Sequence, residues 1–238
     1  DPYASEVGIQ VLRSGGNAVD AAIAMAATLG VTEPYSCGLG GGGFLVYHQT
    51  RTGRTWTING RETAPASFTD TSLTDGAGTA LPFDATVNSG LSVGVPGTPL
   101  TWEVAARQFG RRSLRQLLRP AEELARRGFV VDAYYRSHTE SNEERFRRFP
   151  ETARVYLPGG RVPDVGDTMR NPDLADTLER LAREAAAAGS DVAAQAEAAR
   201  AAFYSGFVAD AVDTFARTPQ WEGVGPDGVH RSFLTGED

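Results

Sequence analysis

The chain has 238 residues, 41% of them hydrophobic and 22% charged, which is typical of a globular protein with a substantial buried core. The net charge of −7 provides no overall basic surface of the kind that binds nucleic acid, so we expect no nucleic-acid partner. All 23 basic residues are arginine, which excludes a Schiff-base lysine and a P-loop lysine within these residues.

Cysteine and histidine are too scarce to predict a structural metal site. Cys37 is the single cysteine, and the three histidines, His48, His138 and His230, lack the spacing of zinc ligands. We therefore expect no metal, no cofactor and no internal disulfide. The first residues carry neither a basic nor an apolar segment, so we expect no signal peptide in them. No apolar stretch approaches the ~20 residues of a membrane helix, so we expect no membrane segment.

The N-terminal residues predict two helices joined by a glycine corner. Apolar side chains recur at helical spacing over residues 3–13, and Gly15-Gly16 ends this segment. Asn17 is a good N-cap for a second helix over residues 18–29. The second helix is rich in alanine, so we expect it to be buried.

A glycine-rich turn and a β-hairpin are predicted next. Four consecutive glycines, 40–43, lead into residues 44–48, an apolar run that predicts a core strand. After a turn at 51–54, residues 55–61 alternate between polar and apolar side chains and predict the returning strand. The two strands are expected to pair with each other.

The middle of the chain predicts a loop followed by helices. Residues 66–97 are rich in Thr, Ser, Asp, Gly and Pro, which predicts a long loop ending in a short strand. Helical periodicity follows, and Ser113 with Gln116 has the pattern of a capping box. Pro120 is expected to restart this helix rather than continue it, because proline lacks the amide hydrogen. Gly128 is expected to end it.

The remaining residues are also predicted to be mainly helical. Residues 132–148 indicate a polar helix, and Asn171-Pro172 is a typical helix start. Alanine-rich residues 191–203 have helical periodicity, and residues 207–215 supply a last apolar face. There is no internal repeat and no linker composition, so we expect residues 1–238 to form a single domain portion.

Arg61 is the residue with the clearest chemical interpretation. It ends the predicted second strand on its polar face, between Gly60 and the turn that contains Pro65. A cation fixed at a strand end suits recognition of a carboxylate, which arginine binds with two parallel hydrogen bonds. The alternative is an exposed ion pair with Glu62 or another acid, and spacing alone favours that alternative.

Other motif-like strings predict packing or solvation. Gly38-x-Gly40-x-x-Gly43 matches the dinucleotide fingerprint, but a helix precedes it and a strand follows it, which is the reverse of the required context. These glycines instead allow close backbone packing or leave amides free beside a substrate. No G-x-S-x-G motif occurs, and the acid pairs 122–123 and 143–144 are expected to be solvated.

Seven arginines follow one another closely in the middle of the chain. They could bind an anionic surface, but helices normally carry such residues on a solvated face, which we favour. They are Arg107, Arg111, Arg112, Arg115, Arg119, Arg126 and Arg127.

Several short motifs follow one another along the chain in a fixed order. They are 12–22 (LRSGGNAVDAA), 31–34 (VTEP), 38–44 (GLGGGGF), 61–65 (RETAP), 95–98 (VPGT), 120–122 (PAE), 124–129 (LARRGF), 171–174 (NPDL) and 202–206 (AFYSG). In order and in gaps, this set resembles the large subunit of γ-glutamyltranspeptidases over nearly all 238 residues.

The resemblance implies an N-terminal-nucleophile hydrolase. In that family a precursor cleaves itself, and a threonine exposed at the start of the small subunit attacks a γ-glutamyl amide such as glutathione, with its own α-amine as base. The acyl-enzyme passes the glutamyl group to water, an amino acid or a peptide. The implied fold is α+β, a four-layer αββα sandwich, of which this chain would be a helix-rich, incomplete portion.

The resemblance also assigns roles and partners. Arg61 would hold the α-carboxylate of the substrate, no catalytic residue would lie in this chain, and the partner would be the small subunit of the same precursor. Relatives are commonly secreted, periplasmic or surface-associated. Residues 234–238 resemble a point inside the large subunit, and the first residues a point after its first strand. We therefore expect the Thr-Thr-His type processing site, the oxyanion glycines and the acid that reads the α-amine to lie outside this chain.

Two alternatives remain open. One is a related acylase or amidohydrolase that acts on glutaryl-cephalosporins or poly-γ-glutamate, since Arg61 would suit any acyl group that carries a carboxylate. The other is a non-catalytic fragment or domain that binds a ligand or a partner.

Overall fold

The protein is built from packed helices and short antiparallel strand pairs. The computed structural model describes residues 1–218, 220–221, 229–230 and 232–238. The helices are α1 (Pro2–Arg13), α2 (Ala18–Thr32), α3 (Phe83–Val87), α4 (Thr98–Phe109), α5 (Leu114–Arg127), α6 (Ala133–Ser141), α7 (Glu143–Arg147), α8 (Pro150–Tyr156), α9 (Pro172–Ala187), α10 (Val192–Tyr204) and α11 (Phe207–Ala216). The strands are β1 (Gly43–Gln49), β2 (Arg54–Gly60), β3 (Phe129–Val130), β4 (Thr168–Met169), β5 (Gln220–Trp221) and β6 (Val229–His230).

The helices α2, α5 and α9 form the centre of the core. Helix α5 packs against both α2 and α9, and α10 packs against α4 and α9. Small side chains on α2, such as Ala24 at 0% exposure, let the neighbouring helices approach closely, while Leu117 and Leu118 of α5 are 1% exposed. Burial of a leucine side chain contributes about 1.5–3 kcal/mol, so this layer supplies much of the hydrophobic stabilisation.

The local start signals of the helices agree with the sequence prediction. Asn17 caps α2 and forms a capping box with Asp20, and Ser113 and Gln116 form the predicted capping box of α5. Asn171 caps α9 with its side chain, which accepts a hydrogen bond from the N–H of Leu174. The alanine-rich segment forms α10 as predicted.

The expected helix break at Pro120 is wrong. Helix α5 runs through this residue from Leu114 to Arg127 and ends at Gly128, which has a positive φ of 97°. Proline removes one backbone donor, but the buried stripe of α5 continues on both sides of it, from Leu117 to Leu124. Tertiary burial therefore outweighs the local preference.

Two other segments differ from their prediction. The polar helix expected over 132–148 is divided into α6 and α7 at Asn142, whose side-chain amide donates to the carbonyl of His138. This side-chain contact competes with the backbone pattern of a continuing helix. The long loop at 66–97 contains the short helix α3, and its strand-like end is a bridge between Val95 and Thr63.

Strands β1 and β2 form the predicted hairpin, but β1 is not a core strand on both faces. Tyr47 and Trp56 pack against Phe109 of α4, with ring centroids 4.7 and 5.3 Å from that of Phe109. On the opposite face Phe44 is 71% exposed and Val46 is 69% exposed. Among the described residues, the helices cover only one side of the hairpin, so the prediction of a core strand holds for the face with Tyr47 and is wrong for Phe44 and Val46.

Among the described residues, no helix combines the length and the apolar character needed to cross a bilayer.

Candidate functional site

Arg61 directly follows the last residue of β2, at the edge of the hairpin. Its side chain is 60% exposed, and its Nε atom lies 3.2 Å from Oε2 of Glu62. Its backbone N–H donates to the side-chain oxygen of Asn59 at 3.1 Å. The ion pair with Glu62 that the sequence left open is therefore present in this chain.

The Arg61 guanidinium retains unused donors. In the part of the chain that the structure describes, it forms no side-chain hydrogen bond, and its contact with Glu62 involves Nε. The two terminal nitrogens are therefore free to bind a carboxylate in the forked geometry that arginine favours. Oε2 of Glu62 is itself buried and accepts no hydrogen bond among these residues, so the Arg61 charge is what offsets it.

Two glycines hold the backbone on either side of the strand end. A Cβ atom at Gly42 or at Gly97 would overlap the carbonyl oxygen of Gly60, so only glycine fits at either position without a shift. Two residues beyond Arg61, Thr63 exchanges backbone hydrogen bonds with Val95, and the N–H of Val95 donates to Thr63 O at 2.9 Å. The main chain that carries Arg61 is thus fixed on both sides.

The glycine-rich turn connects this strand end to the start of α4. The carbonyl of Gly41 accepts hydrogen bonds from the N–H groups of Gly97 and Thr98, at 2.9 and 3.0 Å. Helix α2 precedes the turn and strand β1 follows it, as the sequence predicted, so the context is not that of a dinucleotide fingerprint. At Gly42 the glycine serves close backbone packing, one of the two roles expected from the sequence.

The acids of the two pairs on the helices form salt bridges with arginines. Glu122 lies 3.0 Å from Arg126, and Glu123 lies 2.6 Å from Arg119. The acids of the second pair, Glu143 and Glu144, likewise pair with Arg147 and Arg148. These partners lie four residues away on partly or largely exposed helix faces, which supports the solvated reading of the acids and of Arg119 and Arg126.

The described histidines are not brought together. His48 Nδ1 lies 3.0 Å from the hydroxyl oxygen of Thr55 on the exposed face of the hairpin. His138 stacks on Tyr35, with ring centroids 4.4 Å apart. The side chain of His230 lies outside the described residues. The described residues contain no group of His, Cys, Asp and Glu arranged to hold a metal ion.

Sequence reasoning missed one contact beside the site. The hydroxyl of Tyr204, at the end of α10, donates to the carbonyl of Pro96 at 2.6 Å. Both residues belong to motifs noted above, 202–206 and 95–98, but they are 108 positions apart and no spacing rule joins them.

Comparisons with known proteins agree on one family. The family model described as Gamma-glutamyltranspeptidase matches residues 4–238. The glutathione hydrolase proenzyme of Bacillus subtilis (strain 168) is 41% identical over 180 residues, which are 76% of this chain and 30% of that protein. The chain therefore spans less than a third of the length of this curated relative.

Solved structures with similar folds include a gamma-glutamyltranspeptidase and a cephalosporin acylase. The crystal structure of Helicobacter pylori gamma-glutamyltranspeptidase superposes with a TM-score of 0.81 at 30% identity, covering 91% of this chain and 58% of that one. Cephalosporin acylase from Bacillus halodurans superposes with a TM-score of 0.74 at 29% identity, covering 98% of this chain and 39% of that one. The match of the family model over almost the whole chain is decisive: this chain belongs to the γ-glutamyltranspeptidase family.

Proposed function

We propose that this chain is the carboxylate-binding portion of an autoprocessed γ-glutamyltransferase or hydrolase. The observation that supports this most directly is the Arg61 guanidinium, which is exposed, has two free terminal nitrogens and sits on a main chain fixed by Gly42 and Gly97. Membership of the family supplies the rest of the argument.

The proposed chemistry divides between this chain and the remainder of the protein. The terminal nitrogens of Arg61 bind the α-carboxylate of a γ-glutamyl amide, while Nε keeps its contact with Glu62. A threonine of the small subunit, outside these residues, attacks the γ-carbonyl carbon, its α-amine takes the proton, and the amine of the substrate leaves with a proton. Water or an acceptor amine then attacks the resulting ester and restores the threonine.

The remainder of the protein would also complete the fold. Phe44 and Val46 form an apolar strip on the uncovered face of the β1–β2 hairpin. In an αββα sandwich this face would pack on a second sheet, contributed by parts of the same precursor. We take residues 1–238 as one portion of that domain and the small subunit as its partner.

Replacement of Arg61 in the complete proenzyme tests the proposal. A charge-assisted contact is worth about 1.5–3 kcal/mol, so Arg61→Ala should raise KM for a γ-glutamyl anilide by about 10- to 150-fold. Arg61→Lys keeps the charge but loses the forked geometry, so its KM should lie between those of the unaltered enzyme and of Arg61→Ala. Arg54→Ala is the matched control, because this arginine lies on the same hairpin over the ring of Trp56.

Cleavage into subunits is followed on a denaturing gel for each variant, so that a processing defect is not mistaken for weak binding. An unchanged KM in fully processed Arg61→Ala would refute the role of Arg61. If the complete, unaltered protein neither cleaves itself nor hydrolyses any amide, the result would support the non-catalytic alternative.

A related acylase is the second candidate, because the structure is also similar to a cephalosporin acylase. A glutaryl group carries the carboxylate that Arg61 would bind but lacks the α-amine. Comparing kcat/KM for γ-glutamyl and glutaryl anilides separates the two candidates, because only the γ-glutamyl substrate carries an α-amine.

A further inference from the structure

Two distant motifs of the chain meet next to the strand end that carries Arg61. Tyr204, in the motif 202–206, donates its hydroxyl hydrogen to the carbonyl of Pro96 at 2.6 Å. The same hydroxyl oxygen accepts a hydrogen bond from the N–H of Leu100 at 3.2 Å. One side chain of α10 therefore holds both the turn before α4 and the first turn of α4.

The turn held by Tyr204 continues directly into the backbone beside Arg61. Gly97 follows Pro96, and its Cα lies against the backbone of Gly60 and Arg61: a Cβ there would lie 3.1 Å from the Arg61 carbonyl oxygen. On its other side the Gly97 carbonyl accepts a hydrogen bond from the hydroxyl of Thr101 at 3.0 Å. A shift of this turn would therefore displace the backbone of Gly60 and Arg61 at the strand end.

The hydroxyl of Tyr204 satisfies two backbone groups that have no obvious substitute. The N–H of Leu100 belongs to the first turn of α4, where backbone donors lack a partner within the helix. Burial raises the pKa of the Tyr204 phenol, so the hydroxyl stays protonated at neutral pH and can donate to Pro96. Removing the oxygen leaves an unpaired acceptor and an unpaired donor on the same short segment.

We propose that Tyr204 is a positioning residue for Arg61, acting through Pro96 and Gly97 on the backbone that carries the guanidinium. This inference rests on the proposed function of Arg61. Tyr204 does not touch the substrate; its hydroxyl sets where the forked donors of Arg61 stand relative to the reacting amide.

Tyr204→Phe in the complete proenzyme removes the hydroxyl and keeps the ring. We expect KM for a γ-glutamyl anilide to rise about three- to tenfold, with kcat changed less than twofold, because ordinary hydrogen bonds of this kind are worth about one tenfold step. Tyr3→Phe is the matched control. The Tyr3 hydroxyl also accepts a backbone N–H, that of Val130, but it anchors β3 rather than the turn beside Arg61.

A double-mutant cycle separates positioning from general stability. If Tyr204 acts through Arg61, Tyr204→Phe should change kcat/KM by less than twofold in an Arg61→Ala background. The same loss in both backgrounds, or an equal rise of KM in Tyr3→Phe, would overturn the inference. An Arg61→Ala variant with unchanged KM would instead defeat the proposed function itself. A rise of KM in Arg61→Ala but none in Tyr204→Phe would remove only the positioning role.

Discussion

The helical layer of α2, α5 and α9 and the β1–β2 hairpin bury their apolar residues to very different extents. In the helical layer, Leu117 and Leu118 are almost completely enclosed by neighbouring helices. In the hairpin, the face with Tyr47 packs on α4, whereas the face with Phe44 and Val46 is largely open. The helical layer has the burial of a finished core, whereas one face of the hairpin is exposed.

The candidate site lies where these two regions join. The guanidinium of Arg61 is largely exposed, but the backbone next to it is held from the helical side, by Gly97 before α4 and, through Pro96, by Tyr204 of α10. A rigid layer that carries an accessible charged group is what precise recognition of a small ligand requires. The helical layer therefore holds the backbone in place, while the exposed side chain of Arg61 is the group available to contact a ligand.

The largest expected effect lies in the helical layer. Leu117→Ala should lower the free energy of unfolding by about 4 kcal/mol, because the side chain is fully buried and its removal leaves a cavity. Leu12→Ala makes the same change on α1 at a half-exposed position and should cost less than about 1.5 kcal/mol. Urea denaturation of both variants measures the difference. Equal losses would show that burial does not separate the two positions.

A second expected effect concerns the buried carboxylate that ties α2 to the segment between α4 and α5. Asp20 is fully buried and accepts hydrogen bonds from the N–H groups of Asn17, Arg111 and Arg112, at 2.8, 2.9 and 3.2 Å. Asp20→Asn replaces one acceptor oxygen with a donor and should lower the free energy of unfolding by about 2–3 kcal/mol.

The control for this change is Asp191→Asn at the N-cap of α10. Asp191 accepts one backbone N–H, from Ala194, at an exposed position, and asparagine is nearly as good an N-cap as aspartate. The midpoint temperature of thermal unfolding, Tm, should therefore change little in Asp191→Asn and should fall clearly in Asp20→Asn. A comparable loss in both variants would mean that the buried network around Asp20 adds nothing beyond capping.

Much of the helical layer could be predicted from sequence because its signals are local. The Asn17 cap, the Ser113 capping box and the Asn171-Pro172 start each satisfy helix-end groups within a few residues, and all three are present. Pro120 was mispredicted because its local penalty is set against the burial of leucines on both sides, which depends on α2 and α9.

The candidate site was predictable only in part. The position of Arg61 at the end of a strand follows from period-2 alternation, but whether its charge meets Glu62 depends on side-chain geometry that spacing does not determine. The support from Tyr204 could not be inferred at all, since it joins residues 108 positions apart through one hydroxyl. The one sequence signal for this contact was that both segments belong to the motifs that resemble the family, 95–98 and 202–206.

The smallest expected effect tests the open face of the hairpin. Phe44→Thr should change the free energy of unfolding of the 238-residue chain by less than about 0.5 kcal/mol, because the ring is mostly exposed. Leu45→Thr, one residue on and on the covered face, should cost about 1–2 kcal/mol.

In the complete proenzyme, Phe44→Thr should no longer be neutral for the free energy of unfolding. If a second sheet covers the hairpin there, Phe44 becomes buried, and Phe44→Thr should cost about 1.5–3 kcal/mol. Leu45→Thr should cost about the same in both forms, because its surroundings are already in place. If Phe44→Thr remains neutral in the complete protein, this face of the hairpin stays open. The proposal of a four-layer sandwich would then be wrong for the hairpin next to Arg61.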